Sequence, residues 1–319
     1  MTRKRSGPEE AGQKRKMTYI ATVLMVVLVV TTIFIYVLSI KPSPPKAAII
    51  DQLGSARLSE SIRHGNATFL QTATDLLLKR FSTIDYYSDN ATVDQYERIA
   101  SQSYKLIIWR AHSALDLDSK YVAISTTDTY GSKNYDQYLE DEQLTLCNIT
   151  GDSNLYFGIT PKFVSELMSG RFDDSVIVLM SCNGLNSGYL KTAQALNEKG
   201  ARVLMSWDGW VDPSDNDNEA TLLLQYLISE NNTVSQAVKK IPVQQSPDFG
   251  RSQMSYYPKD AADYRIPYYD QNALTSSLVP RVVAAMFVFL DESRWCGSRF
   301  SKLSRRGLRR QSLNPSGNN

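Results

Sequence analysis

The chain has 319 residues, is 42% apolar and 21% charged, and carries a net charge of +2. That is a globular composition with room for one large domain. The small net charge hides basic ends around a balanced middle, and the odd number of cysteines (Cys147, Cys182, Cys296) excludes a closed disulfide scaffold. No CxxC pair or His/Cys cluster at ligand spacing occurs, so no metal site and no cofactor are expected.

Residues 1–16 form a polar tail with Arg3, Lys4, Arg5, Lys14, Arg15 and Lys16 against Glu9 and Glu10. Alone, such a tail would suit nucleic acid, but the next segment points elsewhere. Met17–Ile40 carries no charge, is rich in Val, Ile and Leu, and has Tyr19 and Tyr36 near its ends. About 20 apolar residues suffice to span a bilayer, and aromatic residues favour its interfaces. The run is too long, and lacks the small-residue site, for a cleavable signal peptide. The sequence therefore predicts a transmembrane helix over 17–40, an uncleaved single-pass anchor. The basic excess before it places the N-terminus in the cytoplasm and the main domain outside the cell membrane. Four sequons (Asn66, Asn90, Asn148, Asn231) lie beyond the span. Residues 41–46 (Lys-Pro-Ser-Pro-Pro-Lys) form a stiff Pro-rich spacer.

The domain opens at Ala47–Asp51, a first strand. Thr68–Phe81 is predicted helical, Ile84–Tyr87 a short strand and Thr92–Ser101 a second helix. Tyr104-Lys105-Leu106-Ile107-Ile108-Trp109-Arg110-Ala111-His112 is an apolar strand that ends on a histidine. Tyr121–Ser125 and Leu144–Thr150 are read as strands on either side of a polar, Tyr- and Asp-rich loop. Thr160-Pro161 opens a helix that Gly170 stops. Ser175–Met180 is a strand buried on both faces, broken by Cys182-Asn183-Gly184. A helix up to Gly200 and a strand over Ala201–Trp207 follow. An acidic loop, Asp215–Glu219, precedes helices over Ala220–Glu230 and Thr233–Lys240. Strands alternating with helices predict an α/β fold with a mostly parallel sheet and helices on both faces. Residues 241–292 read as a Tyr/Pro-rich extension of long loops with a late edge strand at Arg281–Leu290. Residues 293–319 read as a basic disordered tail, or one that binds anionic lipid or wall polymers.

Chemistry in an open α/β sheet sits beyond the carboxyl ends of its strands. Cys182 and His112 both occupy such ends, and a thiol beside an imidazole is the pairing a cysteine nucleophile requires. Free cysteines are more often small buried hydrophobes, and a histidine ending a strand can be a satisfied core residue. His64, in Arg63-His64-Gly65-Asn66, reads as exposed and Cys147 and Cys296 as structural, with a Cys147–Cys296 pair an open alternative. Trp207 and Trp210 fit either a pocket wall or the core.

The order strand-His, hairpin and helix, strand-Cys-x-Gly, helix ending Gly-Ala-Arg, strand-Ser-Trp resembles the CHAT proteases. These are members of the cysteine peptidase clan of caspases, metacaspases and separase. The closest segments are Val176–Gly184 and Ala195–Trp207, and the similarity spans Ala47 to Lys240. The resemblance implies a caspase-like three-layer sandwich over 47–240. It also implies His112 as general base, Cys182 as nucleophile, and an oxyanion hole from backbone N–H groups of Ser113 and Cys182. Ser113 stands where the family usually has Gly. Asp208 is the one candidate found for the substrate pocket. The expected function is a membrane-anchored cysteine endopeptidase acting on a protein or peptide substrate, with no nucleic-acid partner. The alternative is a catalytically degenerate module that binds a protein partner at the cell surface. A nucleotide-binding fold ranks third, because no GxGxxG or Walker-type loop follows the first strand.

Overall fold

The computed structural model describes residues 8–39 and 44–268, which fall in two separate units. The expected late strand at Arg281–Leu290, the tail over 293–319, Cys296, residues 1–7 and positions 41–43 of the spacer lie outside the described residues. The first unit holds helix α1 (Pro8–Ser39). Among the described residues no helix is long and apolar enough to cross a membrane. This corrects the expected transmembrane helix over 17–40.

In the second unit the chain runs β1 (Lys46–Asp51), α2 (Ala67–Leu77), β2 (Thr83–Tyr87), α3 (Val93–Arg98), β3 (Tyr104–Arg110), β4 (Ser113–Asp116), β5 (Tyr121–Thr129), α4 (Asp136–Glu140), β6 (Leu144–Asn148) and β7 (Leu155–Ile159). It continues with β8 (Ser175–Met180), α5 (Lys191–Glu198), β9 (Ala201–Trp207), α6 (Pro213–Leu224), α7 (Val234–Lys239), β10 (Gln244–Ser246), β11 (Gly250–Ser252) and β12 (Met254–Tyr257). The central sheet has the order β12-β9-β8-β3-β1-β2. Its strands pair in parallel except β12, which joins β9 antiparallel.

Period-2 alternation gives each central strand two apolar faces. Ile49, Leu106, Ile108, Val176 and Val178 point into one core, closed by Phe69 and Leu76 of α2, Leu223 of α6 and Val234 of α7. Ile50, Ile107, Trp109 and Ile177 point into the other, closed by Tyr96 of α3, Leu196 of α5 and Phe163. The helix starts follow sequence chemistry. Asn66 caps α2, Thr92 caps α3, and Thr233 and Gln236 form a capping box on α7.

The expected mostly parallel, caspase-like sandwich is corrected to a mixed α/β fold. The central sheet is mixed, and a separate antiparallel sheet has the order β4-β5-β7-β6, beside a two-stranded β10–β11 hairpin. Connection length is the physical reason. Residues 117–120 join β4 to β5 and residues 149–154 join β6 to β7, far short of the dozen or so residues a parallel crossover needs. The strand Leu155–Ile159 was not foreseen, although Leu-Tyr-Phe-Gly-Ile is a strand-forming run.

Two further segments differ from expectation. The acidic stretch Asp215–Glu219 is helix, because Asp212 caps α6 and Pro213 takes its first turn. The supposed surface loops after Ile241 instead contribute a hairpin and the edge strand β12.

Candidate active site at two strand tips

β3 and β8 are neighbours in register, with Arg110 opposite Met180, and Ala111 N donates to Met180 O at 3.2 Å. His112 and Cys182 are each two residues further on, so both leave the sheet at the same carboxyl edge. Ser113 Oγ donates to Cys182 O at 2.5 Å, which ties the two tips together. Sequence reasoning named both residues from the strand ends alone.

His112 is held from two sides. Its backbone N donates to Gln52 Oε1 at 3.0 Å, and its Nε2 lies 2.9 Å from Ile62 O. A carbonyl oxygen only accepts, so Nε2 carries the hydrogen and the neutral ring keeps Nδ1 as its free basic nitrogen. Burial lowers the imidazole pKa to about 4 against the opposing Ile62 contact, and His64 and Arg110 add smaller lowering contributions. The ring is therefore uncharged at neutral pH.

Cys182 is half-buried, and its Sγ donates to Val211 O at 3.5 Å. Burial pushes its thiol pKa up and Asp212 adds to the rise, against a smaller lowering by a backbone hydrogen bond at Val211. No helix terminus reaches the thiol to acidify it, because α5 begins only at Lys191 and a helix terminus acts over about one turn. The intervening residues form turns. Asn183 takes the left-handed conformation (φ +58°) and donates its N–H to Gly209 O at 2.7 Å, and Leu185 N reaches Trp207 O at 2.9 Å. Gly184 has no substitute here, since a Cβ would lie 2.2 Å from Ser206 Oγ. Two neutral partners, thiol and imidazole, thus stand at the tips in place of a preformed thiolate–imidazolium pair.

Ser125 N donates to His112 O at 3.0 Å, which makes His112–Ser125 a hydrogen-bonded pair of the β4–β5 ladder. By antiparallel alternation Ser113, opposite Ile124, turns its N–H away from β5. The backbone group expected to stabilise an oxyanion therefore points off the sheet. Asp208 fits a pocket role less well. It is exposed, and its carboxylate accepts the Gln253 N–H at 2.7 Å, tying it to the turn before β12.

Sequence reasoning missed two features. His64 is half-buried, with its ring centroid 6.0 Å from that of His112 in an edge-to-face arrangement, so the chain's only two histidines are neighbours. Directly beneath the tip, Arg110 is 1% exposed and clamped by two carboxylates. Asp217 takes it bidentately (Nε–Oδ1 2.7 Å, Nη2–Oδ2 2.7 Å), and Asp51 Oδ1 meets Nη1 at 2.7 Å. Asn66 Nδ2 donates to Asp217 at 2.9 Å and Tyr86 Oη to Asp51 at 3.1 Å. The signal was an arginine inside an otherwise apolar strand, which must find a buried partner. Asn66 was read as a sequon; its amide is engaged in this cluster and in capping α2.

Among the described residues no group of three or more His, Cys, Asp or Glu side chains could hold a metal ion. Compared with known protein families and with curated proteins, the chain matches none.

Proposed function

We propose that this chain is a cysteine endopeptidase, the activity that its resemblance to the CHAT proteases implies. One observation carries the reading: a thiol and an imidazole leave adjacent parallel strands at the same edge, and Ile62 O holds the imidazole so that Nδ1 is its basic nitrogen. Cys182 Sγ turns from Val211 O toward Nδ1 and attacks the peptide carbonyl carbon as His112 takes the thiol proton. The Ser113 and Cys182 N–H groups receive the developing oxyanion. The C–N bond breaks, His112 gives its proton to the departing amine, and an acyl-thioester remains. Water, deprotonated by the same imidazole, then releases the acid and restores the thiol. Because both partners start neutral, His112 acts as a base during attack.

A second reading is a non-catalytic module that binds a protein partner. The burial that raises the thiol pKa favours it, since it keeps the thiol protonated.

Labelling by a thiol-directed peptide electrophile, located by mass spectrometry, separates the two. For the peptidase, the wild type labels at Cys182, and His112→Ala slows this by about 100-fold, the usual scale of a lost general base. Labelling that is unchanged by His112→Ala overturns the peptidase and leaves the binding module.

A further inference from the structure

A cavity of about 640 Å³ lies away from the strand tips, against the antiparallel sheet. Three successive residues of β6, Leu144, Thr145 and Leu146, line it. A strand presents alternate residues on each face, so three in a row mean that the cavity runs along the strand's edge and meets its backbone. Among the described residues β6 is an edge of its sheet, paired only with β7.

The direction of its free backbone groups follows from the ladder. Leu144 lies opposite Ile159, so Gln143 lies opposite Thr160. Thr160 N donates to Gln143 O at 3.3 Å, which makes that pair a hydrogen-bonded one. By alternation Leu144, Leu146 and Asn148 turn their N–H and C=O groups outward, the first two into the cavity. Edges are normally protected by lysine, proline or a bulge. Leu-Thr-Leu-Cys-Asn contains no Lys or Pro, and it pairs with β7 without a register shift.

The rim adds side-chain chemistry. Glu142 and Lys162 line the cavity, and neither forms an ion pair among the described residues. Leu139 supplies an apolar wall beside Leu144 and Leu146.

We propose that this cavity docks an extended peptide segment of another protein, which adds as a fifth strand along β6. Its backbone pairs with Leu144 and Leu146, an apolar side chain rests on Leu139, and an acidic and a basic side chain meet Lys162 and Glu142. Addition of a strand to a free edge gives affinity through the main chain and selectivity through alternate side chains. This site is independent of whether Cys182 reacts.

The test uses a random hexapeptide library displayed on phage, selected on the full chain carrying Cys182→Ala so that no peptide is cleaved. Selected peptides, synthesised free, should carry an apolar residue flanked by opposite charges and slow deuterium exchange at the amides of Leu144, Leu146 and Asn148. Leu146→Pro removes one outward N–H and no ladder bond, and should weaken binding by about tenfold. Lys162→Glu should change the selected charge at one position from acidic to basic, a readout that holds even if Leu146→Pro fails to fold. Absence of enrichment, protection elsewhere, or binding indifferent to both substitutions overturns the proposal. Protection of the same amides that grows with protein concentration in the absence of peptide would also overturn it, by assigning the edge to a second copy of the chain.

Discussion

Arg110 and His112 lie two residues apart at the end of one strand, and they meet burial in opposite ways. Arg110 keeps its charge because Asp51 and Asp217 meet it with three 2.7 Å bonds, Tyr86 satisfies Asp51 Oδ2, and Asn66 adds a second bond to Asp217 Oδ2. Among the described residues no carboxylate meets His112, so burial leaves it neutral with a basic nitrogen. The lower cluster is compensated and joins β1, β3, α2 and α6. The upper pair is uncompensated, and that keeps it free for chemistry. Compensation marks structure here, and its absence marks the candidate site.

The largest expected effect breaks the lower cluster. Arg110→Met leaves two buried carboxylates without a counter-charge and should cost about 3–5 kcal/mol of stability, read by urea unfolding. A cost below about 1 kcal/mol would show that the clamp is not holding the sheet.

The upper pair gives the next effect, through pH. The folded His112 has a pKa of about 4 against an ordinary 6.5, so between those values the unfolded chain binds the extra proton. The stability linked to this group is therefore full above about pH 6.5 and lost as the pH falls toward 4, on the order of 3 kcal/mol in all. Unfolding at pH 7 and 4.5 should show a steeper acid loss in the wild type than in His112→Gln. Equal slopes would mean that the imidazole is solvated.

A smaller effect tests the antiparallel sheet. A Cβ on Gly158 would lie 2.4 Å from Cys147 Sγ and 3.2 Å from Ala123 Cβ. Gly158→Ala should cost about 1–3 kcal/mol, and adding Cys147→Ala should recover most of it. The same pair tests the structural reading of Cys147, which is fully buried with a thiol pKa raised by burial to about 12.

The smallest effect is expected at Asp208. Its one exposed bond to Gln253 N sets the loss for Asp208→Ala at about 1 kcal/mol or less. If Asp208 instead shaped a substrate pocket, the substitution would alter which peptide electrophiles label Cys182 while leaving stability alone.

Much of this arrangement was legible in the chain because local rules decide it. The β-branched run Ser175–Met180 is a strand whatever its neighbours, and Thr233 with Gln236 caps a helix from within one turn. The strand ends at His112 and Cys182 could be found in the same way. The antiparallel sheet was less legible. Leu155–Ile159 is short, and its pairing partners lie across two turns that simple periodicity does not see. Residues 244–257 escaped notice because β12 owes its strand form to pairing with β9 rather than to its own apolarity.

The amino-acid sequence by itself determined the strands of the central parallel ladder, several helix starts, and that a thiol and an imidazole end two of the strands. Only the tertiary structure decided which groups meet. The Asp51–Arg110–Asp217 clamp joins residues 59 and 107 positions apart, Ile62 O fixes the tautomer of His112 across 50 residues, and His64 comes to lie against His112. Such contacts depend on how strands order and helices pack. A charge, a carbonyl and a ring placed far apart in sequence acquire their partners only when the sheet assembles.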